Sequence, residues 1–145
     1  MTSSTAPHPL QPTRPAGLRR SIRYGDAVSW TLVAAFILSV VHTIYAWRTG
    51  LEDPDFTVDT PLTWLFYGVA FAVAALARRT SVLAQGVVLA FLVVVLAISV
   101  FYYPTTFTEE KQTTFGWFEN DVYVGLLVVA SFLSVARALR RPLVP

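Results

Sequence analysis

Residues 27–47 read AVSWTLVAAFILSVVHTIYAW, and this stretch decides the fold class of the chain. It is 21 residues long and contains no Asp, Glu, Lys or Arg. About 20 apolar residues in a helix, rising about 1.5 Å each, cross the roughly 30 Å hydrocarbon core of a bilayer. A cleavable signal peptide has a shorter apolar region, so the stretch predicts a retained membrane-spanning helix.

Three later apolar stretches indicate three more crossings, near 61–77, 82–103 and 120–139. Each begins beside a residue that favours a helix start: Thr60 and Pro61, then Thr80 or Ser81, then Asn120. Only 14% of the chain is charged, whereas a soluble domain carries about a quarter. The sequence therefore predicts an all-α integral membrane four-helix bundle with short loops over residues 26–141.

The two ends of the chain differ from this apolar domain. Residues 1–25 combine four prolines with four arginines, a composition that cannot bury enough apolar surface to offset the entropy of ordering. We therefore expect a disordered Pro/Arg-rich tail there. Residues 142–145 form a short C-terminal tail.

Charges alternate between the segments that join the apolar stretches. Eight of the nine acidic residues lie in the first and third connections, counting Asp121 at the very start of the last crossing. Nine of the eleven basic residues lie in the N-terminal tail, in the middle connection or at the C-terminal end of the last crossing: Arg14, Arg19, Arg20, Arg23, Arg78, Arg79, Arg137, Arg140 and Arg141. Because positive residues flanking membrane helices stay in the cytoplasm, this pattern predicts a multi-pass plasma (inner) membrane protein with both termini cytoplasmic.

Composition also excludes several kinds of site. The chain has no cysteine, so it has no disulfide, thiolate metal site or cysteine nucleophile. Its basic residues flank apolar segments rather than forming one patch, which favours a lipid bilayer over nucleic acid as the partner. Ten arginines against one lysine are typical of a bacterial, high-GC coding sequence.

Aromatic side chains concentrate at the predicted outer ends of the helices, where an aromatic belt would anchor them or a ligand would stack. They are Trp47, Trp64, Phe66, Tyr67, Tyr102, Tyr103, Trp117, Phe118 and Tyr123. The connection before the last crossing has capping-box spacing between Thr106 and Glu109. We expect a short interfacial helix near 107–115.

Small residues four apart could let the helices approach closely within the bundle. The pairs are Gly68 with Ala72, Ala70 with Ala74, Gly86 with Ala90, and Ala130 with Ser134. Such spacing also arises by chance in an alanine-rich chain. We expect any contact with another membrane protein, or with a second copy of the chain in a homo-oligomer, at the acidic and aromatic outer loops instead.

His42 is the one ionisable side chain well inside a predicted crossing, which makes it a candidate ligand or proton site. Asp59, Glu119 and Asp121 lie near the same predicted outer mouth and are its candidate partners. The alternatives are a histidine that only packs, and carboxylates that only complement the dipole of the last helix.

No motif assigns catalytic residues, a cofactor or a metal. Asp53, Asp55 and Asp59 lack the twelve-residue pattern of a calcium loop, and one intramembrane histidine is too few for structural zinc or haem. The chain also lacks a phosphate-binding glycine loop. We therefore expect no cofactor and no metal.

Three functions remain open. The absence of a catalytic motif favours a non-enzymatic accessory or structural subunit. The alternative is a small membrane enzyme, or a lipid- or quinone-binding protein, with a site at the outer half near His42. A small transporter is less favoured, because no Asp or Glu falls well inside the predicted crossings; Asp121 is at the very start of the last one.

Overall fold

The structure is a computed structural model that describes residues 16–53, 56–105 and 113–140. It contains four α-helices, α1 (Ala16–Thr49), α2 (Pro61–Leu76), α3 (Val82–Ala97) and α4 (Thr114–Leu139). A π-helical turn, Ile98–Tyr102, and a 3-10 turn, Tyr103–Thr105, follow α3. The described residues form no strand, only an isolated bridge between Asp53 and Phe56.

Local chemistry explains where the helices begin and end. α1 ends at Gly50, whose φ of +68° lets Leu51 N–H donate to Ala46 O over 2.9 Å. This is a Schellman termination, and glycine adopts its left-handed conformation without strain. α3 begins where the Ser81 hydroxyl accepts from Ala84 N–H over 3.2 Å. Thr60 precedes Pro61 in extended conformation but makes no side-chain capping bond.

Three of the helices, counting α3 with its π turn, are long and apolar enough to cross a membrane. α2 has 16 residues, or about 24 Å of helix, and is shorter than the hydrocarbon core of a typical bilayer. Large apolar side chains point outward all around the bundle, with Leu83 80% and Phe132 70% exposed. Such a surface suits lipid rather than water.

The helices pack up, down, up and down around one core. Phe36 of α1 is at its centre, fully buried, and meets the rings of Phe66, Phe71, Phe91 and Tyr123 edge-on at centroid distances of 5.9–6.3 Å. Of the four small-residue pairs, Ala70 and Ala74 are fully buried in this core. Gly68 with Ala72, and Gly86 with Ala90, instead face outward.

Arginines hold one end of the bundle together, which we call the arginine end. Arg137 of α4 is 4% exposed; its guanidinium donates to Ala77 O over 2.6 Å and to Arg79 O over 3.0 Å. Gly25 of α1 leaves room for it, because an added Cβ would lie 2.9 Å from both guanidinium nitrogens and from Ala77 O. Arg78 Nε donates to Ser29 Oγ over 3.1 Å.

Some predicted boundaries differ from the structure. α1 begins at Ala16, so Ala16–Gly25, assigned above to a disordered tail, is helical. Residues 1–15 and 141–145 lie outside the described residues. The predicted interfacial helix near 107–115 falls mainly on residues 106–112, which are also outside them, and its last two residues belong to α4.

Candidate functional site

His42 of α1 and Glu119 of α4 meet at the opposite end of the bundle, which we call the acidic end. The His42 Nδ1 and Glu119 Oε2 atoms are 2.8 Å apart, within ion-pairing distance. Both groups are sheltered, with 19% of the His42 side chain and 5% of the Glu119 side chain exposed. Glu119 is thus the one of the three candidate carboxylates that the fold brings to His42.

The early start of α4 creates this contact. The Thr113 hydroxyl accepts from Gly116 N–H over 3.1 Å and caps the helix, which begins at Thr114. The prediction that the helix starts near Asn120, with Asn120 as its cap, is wrong. The added turns lie over His42, since an ideal Cβ on Gly116 would be 3.8 Å from His42 Cε1.

The pair lies on the wall of a cavity of about 280 Å³. All four helices, the π turn and the α1–α2 connection contribute to this acidic-end cavity. Its polar lining comes mainly from Ser39, His42, Thr43, Asp53, Ser99, Glu119 and Asn120; its apolar and aromatic lining includes Ala46, Leu51, Phe56, Phe66, Val95, Ile98, Tyr102 and Tyr123. Ligand pockets typically combine a mainly apolar wall with a few convergent polar groups.

Hydroxyl groups beside the cavity satisfy one another. The Tyr67 hydroxyl of α2 lies 2.7 Å from Thr43 Oγ1 and 3.1 Å from Ser39 Oγ, and it links α2 to α1. Tyr67 and Tyr123 were expected either to anchor helix ends in an outer aromatic belt or to stack on a ligand, and they are only 2% and 9% exposed. Buried tyrosine hydroxyls need partners, so these rings belong to the packed polar rim of the site.

The π-helical turn contributes Ile98, Ser99 and Tyr102 to the wall of the cavity. Ser99 is 9% exposed and its hydroxyl donates to Val95 O over 2.8 Å. Departures from α-helical hydrogen bonding inside a helix are often found at functional sites, because they redirect side chains.

Asp59 and Asp121 do not join the cavity. Both side chains are exposed; Asp59 N–H donates to Thr57 Oγ1 over 3.1 Å, which places Asp59 in the turn before α2. Asp121 follows Glu119 by two residues and therefore lies on another face of α4. The four candidate residues thus separate into one contacting pair and two surface carboxylates.

Sequence reasoning missed several residues that line the cavity. Asp53 was considered only for calcium, and Phe56 and Ser99 drew no functional interpretation. A signal was present for α4, because Glu119, Tyr123, Leu127 and Ala130 recur at helical spacing and form its buried face. Extending the predicted helix toward Thr113 would have placed Glu119 on that face.

Within the three described ranges, no three side chains of histidine, aspartate or glutamate come together as a metal ion would require. No significant similarity links the chain to a family model, a curated protein or a solved structure. The functional interpretation is therefore based on the arrangement of residues around the acidic-end cavity.

Proposed function

We propose that this chain is a non-enzymatic membrane protein that binds a small amphiphilic molecule in its acidic-end cavity. The observation that carries the proposal is a 280 Å³ cavity whose wall joins the His42–Glu119 pair to apolar side chains. An amphiphile would place its apolar part against the apolar lining and its polar part at the pair. Lipids and quinones have this character.

The packing below the cavity favours binding over transport. Leu32, Phe36, Leu92 and Leu127 are completely buried between the cavity and the arginine end. A close-packed apolar layer offers no polar path for an ion or proton. The proposed site therefore exchanges its ligand only from the acidic end or laterally from the bilayer.

We place the protein in the plasma membrane with both termini in the cytoplasm. The arginine end would then face the cytoplasm and the cavity the outer half of the bilayer, as the positive-inside rule requires. The charge alternation along the sequence supports this orientation.

The test is to fill the cavity and measure binding of two defined probes, menadione and benzyltrimethylammonium. Purified protein in nanodiscs should show saturable, one-site binding of at least one probe by calorimetry. Ala46→Trp should weaken that binding at least about tenfold, because Ala46 lines the cavity and a residue of this size would occupy it. Ala46→Leu gives a milder change should the Trp variant fail to fold.

Ala72→Trp is the matched control, because Ala72 is exposed on the outward face of α2. It should bind the probes as the unchanged protein does. Equal binding by the Ala46 and Ala72 variants, or no saturable binding of either probe, would overturn the proposed function.

A second candidate function, an accessory or structural subunit, is favoured by two outward-facing glycines. Gly68 and Gly86 have open space where a Cβ would be, so nothing in the described structure requires glycine there. Glycine destabilises a helix by roughly 0.5–1 kcal/mol relative to alanine. Each lies four residues from an exposed alanine, the spacing at which membrane helices pack closely against a partner.

This candidate predicts that Gly68→Leu or Gly86→Leu disrupts a complex that survives Gly125→Leu. Gly125 of α4 is equally open, but Val129 follows it four residues later. The readout is chemical cross-linking in intact membranes, with the cross-linked species identified by mass spectrometry. Unchanged cross-linking in all three variants would remove the support for a subunit role.

A further inference from the structure

We propose that the ligand of the acidic-end cavity is cationic: an amine or quaternary ammonium group attached to an apolar body. This inference rests on the proposed function and specifies the chemistry of its ligand. It follows from the carboxylates that line the cavity, the absence of arginine and lysine among the described lining residues and the aromatic rings of the wall.

The charge-bearing groups of the described lining are two carboxylates, Asp53 and Glu119, and one imidazole, His42. No arginine or lysine is among these lining residues. Among the described lining residues, carboxylates therefore outnumber basic groups even when His42 is protonated. This composition disfavours an anionic head group, because like charges repel more strongly where the surroundings are less polar than water.

The arginines elsewhere on the described chain are either far from the cavity or exposed, and none is among its described lining residues. Arg78, Arg137 and Arg140 lie at the arginine end, where they bind Ser29, backbone carbonyls and Tyr24 respectively. Gly25, beside Arg137, is 17 residues before His42 on the same helix, or about 25 Å away along its axis. Arg48, nearer the cavity in sequence, is exposed and is not among the lining residues.

Aromatic rings supply a second attraction for a cation. Phe56, Phe66, Tyr102 and Tyr123 line the cavity, and the Phe56 and Phe66 rings meet edge-on at 5.7 Å. An aromatic face attracts an ammonium group by about 0.5–2 kcal/mol, most strongly where water is excluded. The same rings accept the apolar body, so both parts of the ligand are accommodated within 280 Å³.

The test compares benzyltrimethylammonium with its uncharged isostere neopentylbenzene, in which carbon replaces the nitrogen. Saturable binding is measured with protein in phosphatidylglycerol nanodiscs. The signal from the Ala46→Trp variant is subtracted to correct for partition of the compounds into lipid. We expect the cation to bind at least about tenfold more tightly. Glu119→Gln and Asp53→Asn should each reduce this preference several-fold while leaving neopentylbenzene binding within about twofold.

Asp59→Asn and Asp121→Asn are the matched controls, because each removes an exposed carboxylate that is not among the described lining residues. Both should retain the preference for the cation. Asp53→Asn lies in the α1–α2 connection, so it keeps the test valid should Glu119→Gln fail to fold.

Phosphatidylethanolamine distinguishes the two sources of such a ligand. If this lipid competes with benzyltrimethylammonium, the cation is a lipid head group; if it does not, the cation is a free amphiphile. Equal affinity for the cation and its isostere overturns the charge proposal and leaves the proposed function standing. Absence of saturable binding for both compounds, and for menadione, overturns the proposed function itself.

Discussion

At the scale of single residues, Glu119 makes the contact on which the candidate site depends. It is 4% exposed and lies on α4, the helix whose N-terminal turn covers His42. Burying a carboxylate without a partner costs free energy. The His42 side chain lies within ion-pairing distance of the Glu119 carboxylate. The two residues should therefore contribute to stability jointly.

A double-mutant cycle tests this coupling. We expect Glu119→Gln and His42→Gln, singly and together, to reveal a coupling of about 1–3 kcal/mol, because each single change alters the buried contact between the two side chains. The measurement is the free energy of unfolding in mixed detergent and SDS micelles.

Asp121→Asn provides the control for that cycle, since this exposed carboxylate should change the free energy of unfolding by less than about 0.5 kcal/mol. A coupling no larger than the control effect would mean that the 2.8 Å contact contributes nothing measurable to stability.

At the scale of helices, a glycine at the arginine end allows three helices to pack closely. α1 passes the end of α2 so closely that Gly25 faces Ala77 O, and Arg137 of α4 fills the remaining space. The guanidinium satisfies carbonyls that the end of α2 leaves without partners. The basic residues of this end therefore pack the bundle as well as supporting its predicted orientation.

Gly25→Ala should consequently lower the free energy of unfolding by about 1–3 kcal/mol, although alanine is the better helix former. Its Cβ would lie 2.9 Å from a backbone oxygen that cannot rotate away. The measurement is SDS-induced unfolding followed by circular dichroism.

Gly68→Ala and Gly86→Ala are the matched helical controls, because a Cβ at either position meets nothing within 4 Å. They should be neutral or stabilising by up to about 1 kcal/mol. If Gly25→Ala changes the free energy of unfolding no more than these controls do, the close approach of α1 to Ala77 O does not require glycine at position 25.

At the scale of the whole molecule, the up-and-down order of the helices separates the acidic end from the arginine end. α2 matters most for this arrangement, because it is short and yet connects the two ends. A short helix is accommodated by local thinning of the bilayer or by flanking polar residues that reach the interface. Asp59 and Arg79 flank α2 and are both exposed.

Single cysteines at these two positions test orientation and the crossing by α2 together. The chain contains no cysteine, so Asp59→Cys and Arg79→Cys can be labelled without background. In intact cells, a membrane-impermeant maleimide should label the cysteine at 59 and should reach the one at 79 only after lysis. Labelling of both positions, or the reverse pattern, would contradict the proposed topology.

The helical character of the described residues and the starts of α2 and α3 follow from the sequence. Long apolar stretches, Pro61 and Ser81 are local signals that need no knowledge of the rest of the chain. The predicted start of α4, near Asn120, was wrong because Thr113, Thr114 and Phe115 are compatible with both a loop and a helix. In the structure these residues are helical, and Glu119 is buried on the same helix.

The sequence by itself determined the apolar helices and the separation of positive from negative charge, because hydropathy and charge are properties of each segment alone. Only the tertiary structure decided which carboxylate meets His42, where the cavity lies and which small residues are buried. These depend on how the helices are rotated about their axes, and that rotation is set by packing around Phe36 and at Gly25. Contacts between segments distant in sequence determine it, so no single segment could reveal it.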